Sequence, residues 1–196
     1  MAASICAPGE LSERLLSLRK INMYIGHVGA ALAAKRVRIG IGLLPLLVAT
    51  YAPDLVDTGL CLAAANHSRQ MLSHSIPSVL ILALLGFGWY GMVTRDWKAG
   101  LVIAAVIVSH ILLDWITGSK PTWPGGPMIG LQLYQRPIAD FIAEGATIVV
   151  GTLLYARTLP PRQRPWVEVS IMMGALLVLQ LSIDVAHLLM KSLPKC

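Results

Sequence analysis

Residues 100–118 read GLVIAAVIVSHILLDWITG, an apolar run whose ionisable side chains are those of His110 and Asp114. Its length is close to the roughly 20 residues that a helix needs to cross the hydrocarbon core of a bilayer. We therefore expect this run to form a membrane-spanning helix that carries a histidine and an aspartate toward one end.

The rest of the chain has the same apolar character. It is 56% hydrophobic and 13% charged, with a mean hydropathy of +0.68, whereas about a quarter of the residues are charged in an average soluble domain. Too few polar residues remain to cover a soluble module. Further apolar segments lie at 39–52, 76–93, 138–156 and 167–190. The predicted fold is all-α, a polytopic membrane bundle of five to six mostly short helices.

A shorter apolar stretch at 21–34 joins the next segment through a basic cluster at 35–38. It either lies on the membrane surface or forms a helical hairpin with 39–52, and we favour the hairpin because it brings His27 level with the other ionisable residues. The expected organisation is an N-terminal amphipathic segment at 1–20, a membrane-embedded core at 21–157 and a C-terminal membrane helix at 158–196.

The positive charges lie mainly between the apolar segments. The net charge is +6, but the sixteen Lys and Arg are spread over the gaps, as in a protein oriented by the positive-inside rule. The expected partner is therefore the lipid bilayer rather than nucleic acid, and the basic gaps at 35–38, 95–98 and 157–164 should be cytoplasmic. Three widely separated cysteines predict neither a disulfide framework nor a CxxC metal site.

Ionisable residues gather toward the ends of the predicted helices that lie away from the basic gaps. Charged groups within or beside membrane helices are costly, so each marks a candidate functional site. The i, i+4 spacing of His110 and Asp114 puts an imidazole and a carboxylate one turn apart on the same side of a helix, which suits the binding of an ion. The residues concerned, all expected at the non-cytoplasmic face, are Asp54, His74, His110, Asp114, Asp140 and Glu144.

The donor atoms of this set indicate a divalent metal. Imidazole nitrogen and carboxylate oxygen together suit zinc, manganese or iron(II). Asp140 and Glu144 repeat the i, i+4 spacing, so two facing helices could hold two or three ions with positions open for water. The sequence therefore predicts a metal site at one membrane face.

Several of these residues also have an ordinary structural interpretation. A histidine and an aspartate on one helix can simply form a hydrogen bond with each other. Asp54 can cap a helix or turn, and Asp57 is expected to do so. The gathering of four sequence-distant pieces on one face favours metal over these separate explanations.

The carboxylates of the last two segments leave alternatives open. Asp140 and Glu144 stand where a helix begins, a position in which the helix dipole favours carboxylates. Asp184 and His187 either join the site or pair with each other.

Several short motifs, taken in order, resemble a known family. They are GHVGAA at 26–31, PDLVD at 53–57, SHS at 73–75 and HILLDW at 110–115, followed by Gly118 and WP at 123–124. Over about residues 22–150 this ordered set resembles the YdjM-like family of membrane-bound metal-dependent hydrolases, some of them regulated by LexA. The resemblance implies an integral protein of a bacterial inner membrane.

That family is in turn similar to the all-helical zinc phospholipase C and P1 nuclease group, whose ligands run His, Asp, His, His-x-x-x-Asp and a later His-x-x-x-Glu. Asp140 departs from that pattern by replacing a histidine, and His187 is the one histidine left after His110. A smaller number of ions or a poorer zinc site would follow. The implied metal ligands are His27, Asp54, His74, His110 and Asp114, with Asp114 bridging ions and Asp140 and Glu144 completing a second site.

The resemblance also implies a reaction. One to three divalent ions, zinc first among the candidates, would activate a water, with Asp54 or Glu144 accepting its proton. The expected substrate is an amphipathic or lipid-like phosphoester, and His67, Arg69 and Trp123 are candidates to contact it. The alternatives are a small transporter or ion-binding protein, in which buried ionisable groups relay ions, and a non-catalytic membrane subunit.

Overall fold

Helices make up most of the part of the chain that the computed structural model describes, which is residues 25–63, 72–160 and 165–192. Within those ranges there are seven α-helices: α1 (Gly26–Val37), α2 (Leu43–Thr50), α3 (Ala52–Ala63), α4 (Ile76–Thr94), α5 (Trp97–Thr117), α6 (Pro137–Ala156) and α7 (Trp166–Ser192). Short 3-10 turns occupy Leu72–His74 and Leu133–Gln135. Two strands, β1 (Lys120–Pro121) and β2 (Met128–Ile129), pair antiparallel.

Four of these helices are long and apolar enough to cross a membrane. They are α4, α5, α6 and the part of α7 from Trp166 to Leu189, and they correspond to the predicted segments 76–93, 100–118, 138–156 and 167–190. Large apolar side chains such as Leu84, Leu101 and Val178 are exposed on their outer faces, where lipid would be their solvent. The predicted helical membrane bundle is confirmed.

The predicted segment at 39–52 is shorter than expected. Its helix, α2, has only eight residues, because it begins after Gly42 and ends at Thr50, and α3 begins at Ala52 after an interruption at Tyr51. The turn before it is closed by Lys35, whose Nζ donates to the carbonyl oxygens of Ile39 and Ile41 at 2.6 and 2.5 Å. The segment does not span the membrane, and α2 instead packs on α1 as half of the predicted hairpin.

Helix α1 packs tightly against the membrane span α6. At the crossing a Cβ on Gly29 would clash with the backbone at Thr147, and a Cβ on Gly151 would clash with the backbone of Gly29. Small residues allow helix backbones to approach closely in membranes. This contact fixes the start of α1, and with it His27, near Glu144 in the middle of α6.

The helices arrange the charged residues at two opposite ends of the bundle. One end, which we call the site end, gathers His27, Asp54, His74, His110 and Asp114, from the starts of α1 and α3, the turn before α4 and the last turns of α5. The other, the basic end, holds an ion pair in which Arg38 Nη2 lies 2.6 Å from Asp96 Oδ2. An apolar core of α2, α4 and α5 side chains, including Leu46, Val79 and Ile107, lies between them.

Candidate metal centre

Helix α5 supplies two deeply buried donors, since His110 and Asp114 are each 1% exposed. Asp54 reaches them from the first turn of α3 and His74 from the turn before α4. His74 Nε2 lies 3.2 Å from His110 Nε2 and 3.1 Å from Asp54 Oδ1. Asp114 Oδ2 lies 3.3 Å from His110 Nε2 and 3.4 Å from His74 Nε2. Residues distant in sequence thus place four donor atoms around one point.

In His74 and His110, the hydrogen-bond partner of Nδ1 determines which ring nitrogen carries the hydrogen. His110 Nδ1 is 2.7 Å from the carbonyl oxygen of Thr50, one of the last carbonyls of α2, and a carbonyl can only accept a hydrogen bond. His74 Nδ1 is 2.8 Å from Asp57 Oδ2. Each neutral ring therefore donates from Nδ1 and keeps a lone pair on Nε2. Two such lone pairs facing each other need a metal ion or a proton between them.

The distances suit one divalent ion. A tetrahedral zinc with bonds of roughly 2.0–2.1 Å places its donor atoms about 3.3 Å apart. The five measured distances among Asp54 Oδ1, His74 Nε2, His110 Nε2 and Asp114 Oδ2 run from 3.1 to 3.8 Å. The side chains of Asp54, His74 and His110 each offer a ligand atom within 4.8 Å of the others. Buried His and Asp side chains at this end could thus hold a metal ion.

His27 lies on the far side of Asp114. Its Nε2 is 3.5 Å from Asp114 Oδ1, and its ring centre is 4.4 Å from that of His110. His27, His110 and Asp114 form a second group of donors within 4.8 Å of one another. The two carboxylate oxygens of Asp114 thus face different histidines.

Asp57 has a different role from the helix or turn cap expected from the sequence. Its carboxylate accepts hydrogen bonds from His74 Nδ1 and from the backbone N–H of Ser73 at 3.1 Å. Burial would raise the pKa of Asp57, but these hydrogen bonds outweigh it and lower the pKa. Burial would likewise lower the pKa of His74, but hydrogen bonds to Asp54 and Asp57 outweigh it and raise the pKa. The surroundings of His74 therefore favour positive charge, which a metal ion also carries.

Lys120 also lies at the centre, although the sequence analysis did not select it as a candidate. Its side chain is 8% exposed, and its Nζ lies 3.2 Å from Asp114 Oδ2. The residue sits on β1, in the gap that follows α5. The only sequence signal was a lone lysine six residues beyond Asp114 in a Gly- and Pro-rich stretch, and nothing in that pattern shows which way the lysine points.

The structure places Glu144 apart from the two donor groups. Its carboxylate accepts a hydrogen bond from the backbone N–H of Gly26, the first residue of α1. A Cβ at that glycine would clash with the carboxylate. Glu144 thus lies at the positive end of the α1 dipole, close enough to His27 to interact electrostatically with it.

Asp140 also lies outside the donor groups. It contacts Asp184 on α7, whose Oδ1 accepts from Gln180 Nε2 at 3.0 Å. A small cavity beside this pair is lined in part by His187. Asp184 and His187 do not join the centre at His110.

Of the three residues predicted to contact substrate, the structure describes Trp123. Trp123 is 55% exposed in the turn between β1 and β2, on the same hairpin as Lys120. His67 and Arg69 fall outside the described residues.

Comparisons with known proteins give a family and one distant relative. No solved structure matches the chain. A protein of Bacillus subtilis (strain 168) described as "Ammonium transporter" is 33% identical over 115 residues, a match that covers 48% of this chain and only 28% of that protein. Residues 21–187 match the family described as YdjM inner membrane protein, which confirms the family resemblance seen in the motifs. The chain therefore belongs to the YdjM family of integral inner membrane proteins.

Proposed function

We propose that the chain is a membrane-bound, metal-dependent hydrolase acting on a phosphoester or lipid-like substrate. The observation that carries the proposal is the pair of imidazole Nε2 atoms, on His74 and His110, that lie 3.2 Å apart while both Nδ1 atoms are engaged. Second hydrogen bonds of this kind orient histidines that bind metal. The carboxylates of Asp54 and Asp114 beside them complete a donor set of the kind that hydrolytic metal centres use.

The chain's own residues have distinct roles in this reaction. A divalent ion bound there would supply a water of lowered pKa and would polarise the oxygen of the bond under attack. His74, His110 and Asp114 would hold the ion, with Asp54 beside them. Asp54 is the most solvent-accessible donor, with 16% of its side chain exposed against 3% or less for the other three, so it is placed to accept the proton of an entering water.

Hydrolysis at this centre needs only water and the phosphoester as reactants. The water oxygen forms a bond to phosphorus, the ester P–O bond breaks, and a proton passes to the departing alkoxide. Asp54 is a better candidate for this proton transfer than Glu144, because Glu144 is engaged with the first N–H of α1. The products are an alcohol and a phosphate.

The position of the centre supports an amphipathic substrate. Apolar side chains are exposed near the same ends of α4, α5 and α6, where Ile76 is 38%, Ile116 40% and Ile138 79% exposed. A lipid-like molecule could keep its apolar part against such surfaces while its polar head reaches the donors. The Arg38 side of the bundle is the more basic one, so we place the centre at the non-cytoplasmic face.

Turnover with and without metal tests the proposal. Detergent-purified protein is stripped with a chelator, reloaded with zinc or manganese, and assayed on bis(p-nitrophenyl) phosphate and on a short-chain phospholipid. We expect metal-dependent turnover that His110→Ala lowers by about 100-fold or more, whereas His187→Ala, a histidine outside the donor groups, retains it. Full turnover in stripped protein, or an active His110→Ala variant, would contradict hydrolysis at this centre.

Transport is the second candidate, favoured by the partial similarity to the Bacillus subtilis protein described as "Ammonium transporter". Buried His and Asp residues in membrane proteins can relay ions, but transport sites lie near the bilayer midplane, whereas these donors lie at one end of the bundle. Uptake of methylammonium or of a divalent ion into proteoliposomes separates the two. A flux that needs His110, without any turnover of phosphoesters, would replace the hydrolase proposal.

A further inference from the structure

Lys120 is a buried cation at the edge of the candidate centre to which the proposed reaction gives no role. Its Nζ lies 3.2 Å from Asp114 Oδ2, the same oxygen that faces His74 Nε2 and His110 Nε2. A fixed positive charge beside metal-binding donors repels the metal, and burying a charge is costly in itself. Its presence there suggests a second partner of negative charge.

The backbone, rather than the long side chain alone, holds Lys120 at this position. Lys120 pairs with Ile129 in the small hairpin. Beyond it, the Thr122 carbonyl accepts from the N–H of Ile76, two residues after His74. Behind it, the Gly118 carbonyl accepts from the N–H of Gln132. The hairpin is thus hydrogen-bonded to the start of α4. A second hydrogen bond closes its base at the end of α5, so the ammonium group of Lys120 is pre-organised beside Asp114 and the donors around it.

The charge balance of the metal-loaded centre would allow an anion to bind. The carboxylates of Asp54, Asp57 and Asp114 are balanced by one divalent ion together with Lys120, so the loaded centre carries no net negative charge to repel an anionic substrate. An ammonium group has three N–H donors, and the contact with the single oxygen of Asp114 engages at most one of them. The others can bind oxygens of a ligand held beside the ion.

We propose that Lys120 binds a non-bridging oxygen of a phosphoryl group at this centre, so that the substrate is a phosphoester rather than a neutral carboxylic ester. The inference rests on the proposed metal-dependent hydrolysis and deepens it by assigning the residue that binds the phosphoryl group and so selects a phosphoester. Lys120 stabilises the negative charge on the phosphoryl oxygens as the water attacks.

The test is phosphate binding to the metal-loaded, full-length protein in detergent, measured by calorimetry after metal content has been determined. Lys120→Met removes the charge at nearly constant size, and Lys120→Arg keeps the charge. Lys98→Met is the matched control, an exposed lysine at the basic end. Lys120→Gln serves as the second neutral variant should Lys120→Met not fold.

We expect Lys120→Met to weaken the binding of inorganic phosphate by about tenfold or more, the usual effect of losing a hydrogen bond to a charged group. Its metal content should equal that of wild type. Lys120→Arg should keep most of the affinity, and Lys98→Met should change it by no more than about twofold. Short-chain phosphatidic acid, titrated beside inorganic phosphate, distinguishes a lipid headgroup from free phosphate as the source of the phosphoryl group.

Two results would overturn the inference, and they differ from failure of the proposed function. Wild-type phosphate affinity in both neutral variants would reduce Lys120 to a counter-ion of Asp114. Loss of metal in those variants would make Lys120 a positioning residue for Asp114 instead of a substrate contact. Absence of metal from the loaded wild type would instead remove the proposed hydrolase centre itself, and the metal measurement shows this before any phosphate is added.

Discussion

The two ends of the bundle both carry ion pairs, but of different kinds. At the basic end, the hydrogen bonds from Arg38 hold the pKa of Asp96 below its usual range, and Asp96 also caps α5 by accepting from the N–H of Ala99. The side chains of Arg38 and Asp96 are 43% and 31% exposed. At the site end, His74, His110 and Asp114 are 3% exposed or less.

The two ends differ in how their polar groups are satisfied. The exposed pair is complete in itself, since a guanidinium donates to a carboxylate and water satisfies what remains. At the site end, by contrast, the Nε2 atoms of His74 and His110 face each other 3.2 Å apart, an arrangement that a cation between them would satisfy. Because these buried donors converge on one point, the site end is the candidate for metal binding.

The largest expected effect is that of Asp114→Asn, which removes charge from the carboxylate facing three histidines and Lys120. We expect metal affinity to fall by about 100-fold or more, beyond the range seen when an outer partner of a ligand is removed. Competition with a chromophoric chelator measures it. Asp96→Asn makes the same chemical change at the basic end and should leave the affinity unchanged, so equal losses in both variants would erase the distinction between the ends.

A smaller loss is expected from Asp57→Ala. Asp57 orients His74 through Nδ1 without offering an atom to the ion, and removing such a partner lowers metal affinity by about 10- to 100-fold. The same chelator competition applies, with Glu168→Ala, an exposed carboxylate on α7, as control. Unchanged affinity in Asp57→Ala would show that the hydrogen bond to His74 has no part in metal binding.

Asp140→Asn should have little effect on the metal at the site end. Asp140 contacts Asp184 rather than the donor groups, and sites that share no partner usually affect each other by no more than about twofold. Metal stoichiometry from elemental analysis checks this. A loss of one ion per chain would instead restore the second metal site that the family resemblance implies.

The smallest effect is expected from Arg38→Ala. Exposed ion pairs add little to stability, and this one lies at the end opposite the donors. Metal content should match wild type, and the thermal unfolding midpoint in detergent should fall only slightly. A large drop in metal content would mean that the two ends are coupled through the helices, contrary to their separation.

The sequence predicted the membrane spans well because span length and hydropathy are local properties. It overestimated the segment at 39–52, where Gly42 and the Lys35 contacts with Ile39 and Ile41 set the start of a much shorter helix. Those contacts depend on how the turn folds, and composition does not report them.

The candidate site was predictable only in part, for a physical reason. His110 and Asp114 share a helix, so their spacing already placed them together. Asp57 and Lys120 act through partners that lie 17 and 6 residues away along the chain, and only the packing of α3, α5 and the hairpin shows where their side chains point. Asp140 has suitable spacing to Glu144 but packs toward α7, a direction that spacing alone does not determine.

X-ray absorption spectroscopy of the metal-loaded protein tests the central claim most directly. With one zinc per chain, we predict scattering from two to three imidazole rings and from carboxylate oxygens, at about 2.0–2.1 Å. Imidazole scattering should weaken in His74→Ala and in His110→Ala but not in His187→Ala. A spectrum without imidazole ligands, or one that neither His74→Ala nor His110→Ala alters, would contradict a metal centre held between His74 and His110.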